Sequence, residues 1–253
     1  MNLLSLLSST LQPICFVCEG PLSKPSEKIC SWCSLPHFET DESICLRCGS
    51  ISLSGESTCS ACDLFPLPMR QIRSLWRYED SVADAIRKMK YHRNEPLCVF
   101  LAEILVKHIE ELFFLSDWDL VLGIPTHRKR FADRGFHPPE ILSKHIRNRL
   151  LRTNRSLSRR ALTVATIFPT QASRAQHKRY AILKNGFSAN PQKVKGKNIL
   201  LVDDVLTTGA TLCSATYALK KAGARHVDAV TLARSSHWSE SRAELSRYLR
   251  SIK

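Results

Sequence analysis

The sequence contains no apolar run approaching the roughly 18 consecutive residues that a membrane-spanning helix requires. Its first stretch, Met1 to Leu11, is apolar but short and has no basic flank, so it reads as an amphipathic packing segment rather than a secretory signal. Acidic residues are scarce where they would be needed to balance charge: residues 126–197 hold eighteen Lys and Arg against two acids, Asp133 and Glu140. Aromatic residues interleaved with that charge are few, chiefly Phe131, Phe136 and Tyr180. Contact of this zone with a nucleic acid would therefore be mainly electrostatic, with little base stacking.

The charge that is present is unevenly placed. Of a net +14, residues 1–68 carry about −4 and residues 69–253 carry +18. A site that handles phosphate would use only a few of these cations, so the concentration points to a polyanionic partner. A nucleic acid fits, with Arg159, Arg160, Arg174, Lys178 and Arg179 as the expected contacts. At 253 residues and 43% hydrophobic content, the chain is large enough for one large domain or two, with a real core.

Ten cysteines include four Cys-x-x-Cys pairs: Cys15/Cys18, Cys30/Cys33, Cys45/Cys48 and Cys59/Cys62. Two such knuckles supply the four thiolates of a tetrahedral zinc site, so four knuckles make two structural sites. Their even spacing suggests an internal repeat of small ribbons. Sequential pairing of the knuckles is the simpler arrangement, and crossed pairing is the alternative. Regular thiol pairs without a secretory signal imply a reducing, cytoplasmic setting rather than disulfides. Thioredoxin-like chemistry lacks its strand–helix–strand surroundings, and iron–sulfur motifs are usually more tightly packed. Cys98 and Cys213 stand alone and read as buried small hydrophobes.

The stretch with the clearest chemistry runs from Asn198 to Thr211, Asn-Ile-Leu-Leu-Val-Asp-Asp-Val-Leu-Thr-Thr-Gly-Ala-Thr. Ile199 to Val202 has the pattern of a parallel strand buried on both faces, and it ends in Asp203 and Asp204. A small polar loop (Thr207, Thr208, Gly209, Thr211) leads into a helix from about Leu212 to Ala222. Strand, polar loop and helix N-terminus form a phosphate cradle, because unpaired amides and the helix dipole point at the anion. Two acceptor-only carboxylates beside it suit vicinal sugar hydroxyls. Phosphate plus diol means a ribose phosphate.

Around this block, Asp63 to Met69, with Pro66 and Pro68, reads as a linker dividing residues 1–68 from residues 69–253. Gln71–Tyr78 reads as a strand, Asp80–Lys90 and Pro96–Leu115 as helices, and Asp119–Pro125 as a buried strand. The basic loop Thr126–Phe136 follows that strand at the end where a second phosphate would sit. A helix opening at Pro138 and Pro139 comes next. Residues 152–184 read as an arm or lid, 185–198 as loop with at most a short strand, His226–Leu232 as a strand and Ser239–Ile252 as a helix.

The Asp-Asp…Thr-Thr-Gly-x-Thr block closely resembles the phosphoribosyl pyrophosphate (PRPP) signature of type I phosphoribosyltransferases. Other segments extend the likeness across the chain: the cysteine ribbon, Tyr78 with Met89-Lys90-Tyr91, Ile124-Pro125…Arg134-Gly135-Phe136, and Gln171…Arg179…Gly186-Phe187. Together they are similar to the ComF family of phosphoribosyltransferase-like proteins. The resemblance implies an α/β type I phosphoribosyltransferase fold, a parallel sheet flanked by helices, carrying an N-terminal double zinc ribbon. It implies a role in handling single-stranded DNA during natural transformation. It places Asp203 and Asp204 on the ribose hydroxyls. Thr207, Thr208, Gly209, Ala210 and Thr211 would hold the 5′-phosphate, Arg128, Arg130 and Arg134 the pyrophosphate side, and Mg²⁺ would accompany PRPP. Where the family usually has Asn-Gln after Arg-Gly-Phe, this chain has His137-Pro138, and Ile182 replaces a common Asn.

Three functions compete on these grounds. One is a PRPP-binding protein active in DNA uptake; another is a transferase moving a phosphoribosyl group to a nucleobase-like acceptor with release of pyrophosphate. For the latter, Phe187 and Trp238 are the aromatics that could stack on a base, although such residues more often pack in a core. The third is a scaffold whose acidic metal segment docks a helicase or translocase or covers the basic zone.

Overall fold

The computed structural model describes residues 13–36, 44–50, 57–64, 66–91, 94–113, 117–126, 135–150, 160–165 and 186–238. Four apolar runs pair into a parallel sheet: β1 (Ile72–Arg77), β2 (Leu120–Gly123), a strand over Asn198–Leu206 and another over His226–Arg234. The two short segments between β2 and the Asn198 strand, β3 (Leu162–Val164) and β4 (Phe187–Ala189), form a separate antiparallel pair. With the long strands numbered β5 and β6, the sheet order is β1-β6-β5-β2. Every pairing in it is parallel. β2 and the first half of β5 are continuous apolar runs and β6 is mostly so, because both faces of the sheet are covered, while the edge strand β1 is mixed.

One face packs against α2 (Asp80–Tyr91), α3 (Glu95–Leu112) and α4 (Pro138–Leu150), which follow a short α1 (Ser60–Leu64). Leu200 and Val202 of β5 meet Ile86, Met89, Leu101, Leu105, Leu142 and Ile146 there. The opposite face takes α6 (Ala210–Lys221), the β3–β4 pair and the single turn α5 (Pro191–Val194). There Ile199 and Leu201 meet Leu212, Cys213, Ala215, Leu219, Leu162 and Val194. The alternation of faces along β5 is the period-2 alternation of any strand. Among the described residues, no helix is long and apolar enough to cross a membrane.

The cysteine segments belong to these same cores. Cys15, Val17 and Leu22 lie in the first, and Cys45, Cys48 and Cys62 in the second. The stretch read as a linker contributes Leu67 and Met69 to the second core. The Cys15/Cys18 and Cys45/Cys48 knuckles share one hydrogen-bond plan. Cys15 N–H donates to Gly20 O as Cys45 N–H does to Ser50 O, and Glu19 N–H donates to Cys15 O as Gly49 N–H does to Cys45 O. Glu19 and Gly49 both take positive φ, 63° and 67°. A repeat of conformation therefore underlies the repeat of spacing.

Element bounds depart from expectation in three places. The acids do not end the central strand, which continues to Leu206 because β6 runs beside it and Val205 and Leu206 still pair with Ala233 and Arg234. Part of the expected arm is ordered as β3, since Ala161 and Leu162 are buried in the second core and the strand pairs with β4. Residues 185–198, expected to hold at most a short strand, also form α5, which Asn190 caps by accepting from Gln192 N–H ahead of Pro191. The remainder of 152–184, apart from residues 160–165, and the expected helix over 239–252 lie outside the described residues.

Gly123 closes β2 where α4 begins. A Cβ on it would stand 2.5 Å from Pro139 O and 2.7 Å from Pro139 C. Because the obstacle is backbone, relief requires α4 to shift. Gly123→Ala is expected to destabilise the protein by about 1–3 kcal/mol, the range for overpacking. Urea unfolding measures this as a lower midpoint with an unchanged slope.

Candidate functional site

At the carboxyl end of β5 the chain places two acids, a polar loop and a helix N-terminus in sequence. Asp204 lies on the side of the sheet that α2 covers, where Lys90 meets it. Asp203 folds back, its Oδ1 accepting from Asp204 N–H at 2.9 Å.

Asp204 is largely buried and pairs with Lys90, Nζ to Oδ1 2.7 Å. Lys90 comes from the last turn of α2, whose buried stripe of Val82, Ala85, Ile86 and Met89 faces the sheet. Beside this pair the buried Cys98 thiol is pushed up to about 12, chiefly by burial and further by the charges of Asp204 and Glu95. Cys98 and Cys213 are both buried, as expected of lone apolar thiols.

The loop beyond β5 turns on Gly209, whose φ of 71° lies in the left-handed region. A Cβ there would stand 2.8 Å from Cη2 and Cζ3 of Trp238. Trp238 is buried beneath the loop, and Phe187 packs against the second core, so both serve as packing aromatics. No side chain caps α6, and Ala210 N–H donates to Thr208 Oγ1 at 3.4 Å. Thr207 is exposed, and Thr208 and Thr211 are half-buried. The N-terminus of α6 thus presents backbone donors and hydroxyls on one small surface, with a strand-borne acid at its edge.

Eight cysteines gather into two groups, Cys15/Cys18/Cys30/Cys33 and Cys45/Cys48/Cys59/Cys62, with the ligand atoms of each group within 4.8 Å of one another. The knuckles pair sequentially. Four soft sulfurs in so small a volume, with amides donating to them, are a donor set that could hold a metal ion. Val17 and Cys30 donate to Cys15 Sγ, Gly20 to Cys18 Sγ and Cys59 to Cys45 Sγ. The Cys15 thiol is drawn down to about 7: burial opposes ionisation, and the donors from Cys18, Cys30 and Val17 outweigh it. Cys33 and Cys59 are pushed up, first by burial and then by neighbouring sulfurs.

The second group adjoins a buried guanidinium. Arg73 is 4% exposed and donates to the carbonyls of Leu112 (3.1 Å), Ile72 (2.9 Å) and Leu46 (2.7 Å). Arg234, at the carboxyl end of β6, donates to Gly49 O at 2.6 Å. Sequence reasoning assigned no role to Lys90, Arg73 or Arg234. For Lys90 the available signal was its position as a cation directly after a buried helical stripe.

Arg160 is exposed at the start of β3 with a φ of 55°. Arg128, Arg130, Arg134, Arg159, Arg174, Lys178 and Arg179 lie outside the described residues, as do Phe131 and Tyr180. Phe136 is buried in the first core and is not exposed for stacking.

The family model described as "Phosphoribosyl transferase domain" matches residues 142–251. The "DNA utilization protein YhgH" of Escherichia coli (strain K12) is 27% identical over 192 residues, covering 75% of this chain and 83% of that protein. Its namesake in Salmonella typhimurium is 25% identical over 229 residues, covering 89% of this chain and 99% of the relative. The "Competence protein ComFC" of Bacillus subtilis is 25% identical over 244 residues, covering 88% and 95%. Among solved structures, an adenine phosphoribosyltransferase is similar with a TM-score of 0.38 and 17% identity, covering 62% of this chain and 80% of that one.

Gly209→Ala tests the loop directly. A side chain at positive φ against an indole is expected to cost about 1–3 kcal/mol of stability. Thermal unfolding should show the loss, and a neutral result would mean that the loop is not seated on Trp238.

Proposed function

From a chain that belongs to the ComF family of phosphoribosyltransferase-like proteins and has the type I phosphoribosyltransferase fold, we propose a protein that binds PRPP or a related ribose phosphate with Mg²⁺ and acts in the handling of single-stranded DNA. The observation that carries the first part is the run from Asp204 through Gly209 to the uncapped start of α6. A carboxylate there stands near the amides of a helix start, which supports a reading as acceptor for sugar hydroxyls beside donors for a phosphate. The names of the relatives, DNA utilization and competence proteins, support the second part. The strongly basic 126–197 zone supports it too, with Arg159, Arg160, Arg174, Lys178 and Arg179 as strand contacts.

In this reading Asp203 and Asp204 accept from the ribose hydroxyls, and Thr207, Thr208, Gly209, Ala210 and Thr211 receive the 5′-phosphate. Arg128, Arg130 and Arg134 neutralise the pyrophosphate. Bound Mg²⁺ would screen the phosphate charges. The cysteine groups hold two zinc ions that support the fold, since four thiolates leave no open position for substrate. Residues 1–68 then form the metal module and 69–253 the phosphoribosyltransferase-like part, in a cytoplasmic protein whose thiols stay reduced.

Transfer of the phosphoribosyl group to a nucleobase-like acceptor is the second reading, favoured by the same loop. It needs a surface that recognises the acceptor, and the burial of Trp238 and the packing of Phe187 do not provide one. Release of pyrophosphate from PRPP with a single base would favour it.

Calorimetric titration of PRPP with Mg²⁺ is expected to give micromolar binding, a Kd equivalent to about −8 kcal/mol. That binding should be lost in Asp203→Asn/Asp204→Asn. Absence of binding in the natural protein would overturn the sugar-phosphate reading.

A further inference from the structure

Lys90 reaches Asp204 from the last turn of α2, and the first cysteine knuckle holds the chain on both sides of it. Before Lys90, Lys88 pairs with Glu19 of the knuckle. After it, Asn94 donates from Nδ2 to Phe16 O at 2.7 Å, while its Oδ1 accepts from Leu97 N–H at 3.0 Å and starts α3. The Phe16 ring meets Phe100 edge-on at 6.4 Å between centroids. Cys15 and Val17 share the first core with Met89, Leu97, Cys98 and Leu101.

Phe16 and Glu19 belong to the loop that carries Cys15 and Cys18. The shape of that loop is set by amide donors to the two sulfurs and by the left-handed backbone of Glu19. Displacing the sulfurs therefore displaces both anchors. We propose that the first cysteine knuckle is a positioning element for Asp204. By holding the end of α2 and the start of α3 on either side of Lys90, it fixes the ammonium on the carboxylate, so that metal at Cys15, Cys18, Cys30 and Cys33 sets the aim of an acid in the sugar-phosphate site. The functional meaning rests on the reading of Asp204 given above. The mechanical link rests on the contacts alone.

Asn94→Asp separates the two duties of that residue, since it keeps the capping acceptor for Leu97 and loses the donor to Phe16. Glu19→Gln weakens the other anchor at the surface and spares both the core and the ligands. In the full chain carrying its metal, the readout is the ¹⁵N-resolved ammonium resonance of Lys90, slowed in exchange by its carboxylate partner. Lys90→Arg assigns it by removing it, and Asp204→Asn is expected to abolish it.

Loss of the resonance in Asn94→Asp, and broadening of it in Glu19→Gln, is the expected result, with the backbone spectrum otherwise retained. A purely structural role for the knuckle would lower the melting temperature and leave the resonance in place, which would overturn the proposal. So would a natural protein whose Lys90 signal is absent or insensitive to Asp204→Asn. If Asn94→Asp does not fold, Glu19→Gln decides alone, and an unchanged resonance there counts against the proposal. No sugar phosphate enters this test, so failure to bind PRPP would remove the functional reading and leave the link standing.

Discussion

Eight thiols are drawn into two groups that border the apolar cores covering the sheet, four of the sulfurs fully buried there, and the rest of the structure depends on how their charge is met. Sulfurs this close resist ionising together, as the upward shifts of Cys33 and Cys59 indicate, even where amide donors draw Cys15 down. A divalent metal removes that obstacle, and binding of zinc to such a set contributes about 10–16 kcal/mol to folding. The knuckles then act as rigid corners. The Cys45/Cys48 knuckle covers the edge strand β1, with Ile72 N–H donating to Arg47 O and the Arg73 guanidinium tied to three carbonyls. The Cys15/Cys18 knuckle braces the end of α2 and the start of α3.

The site follows from this bracing. A parallel strand buried on both faces presents polar groups mainly at its ends, and β5 does so at its carboxyl end with Asp203, Asp204 and the loop to α6. Each part of that end is held from a different side. Lys90 holds Asp204, Trp238 lies under Gly209, and Ser235 N–H donates to Leu206 O at the close of the strand. Arg234, one residue earlier, reaches back to Gly49 in the Cys45/Cys48 knuckle. The cysteine loops and the carboxyl end of the sheet are thus joined by a few short polar contacts.

Much of this was legible in the sequence, for identifiable reasons. Cysteine spacing specifies ligand groups because a tetrahedral site needs two knuckles, but it left sequential and crossed pairing open, and the fold brings the sequential pairs together. The β5 to α6 segment was readable because a continuous apolar run, two acids and a small polar loop each carry a local signal. What was not legible depends on partners distant in the chain. Lys90 and Asp204 meet only through the packing of α2 on the sheet, and Arg73 is buried because a knuckle folds over β1. Prolines around Leu67 and Met69 suggested a linker, but proline breaks regular structure without preventing burial. Phe136 appeared available for stacking until helix packing placed it in the first core. The strand outran its expected end at Val202 because an acid side chain does not interrupt a backbone ladder.

The central claim is that the metal knuckles and the sheet form one cooperative unit that holds the site. Differential scanning calorimetry of the full chain, with its metal and after chelation, tests this most directly. The account predicts a single transition for the metal-loaded protein, and loss of that whole transition, β-sheet included, when the metal is removed. Two separate transitions, with the larger unchanged by chelation, would contradict it.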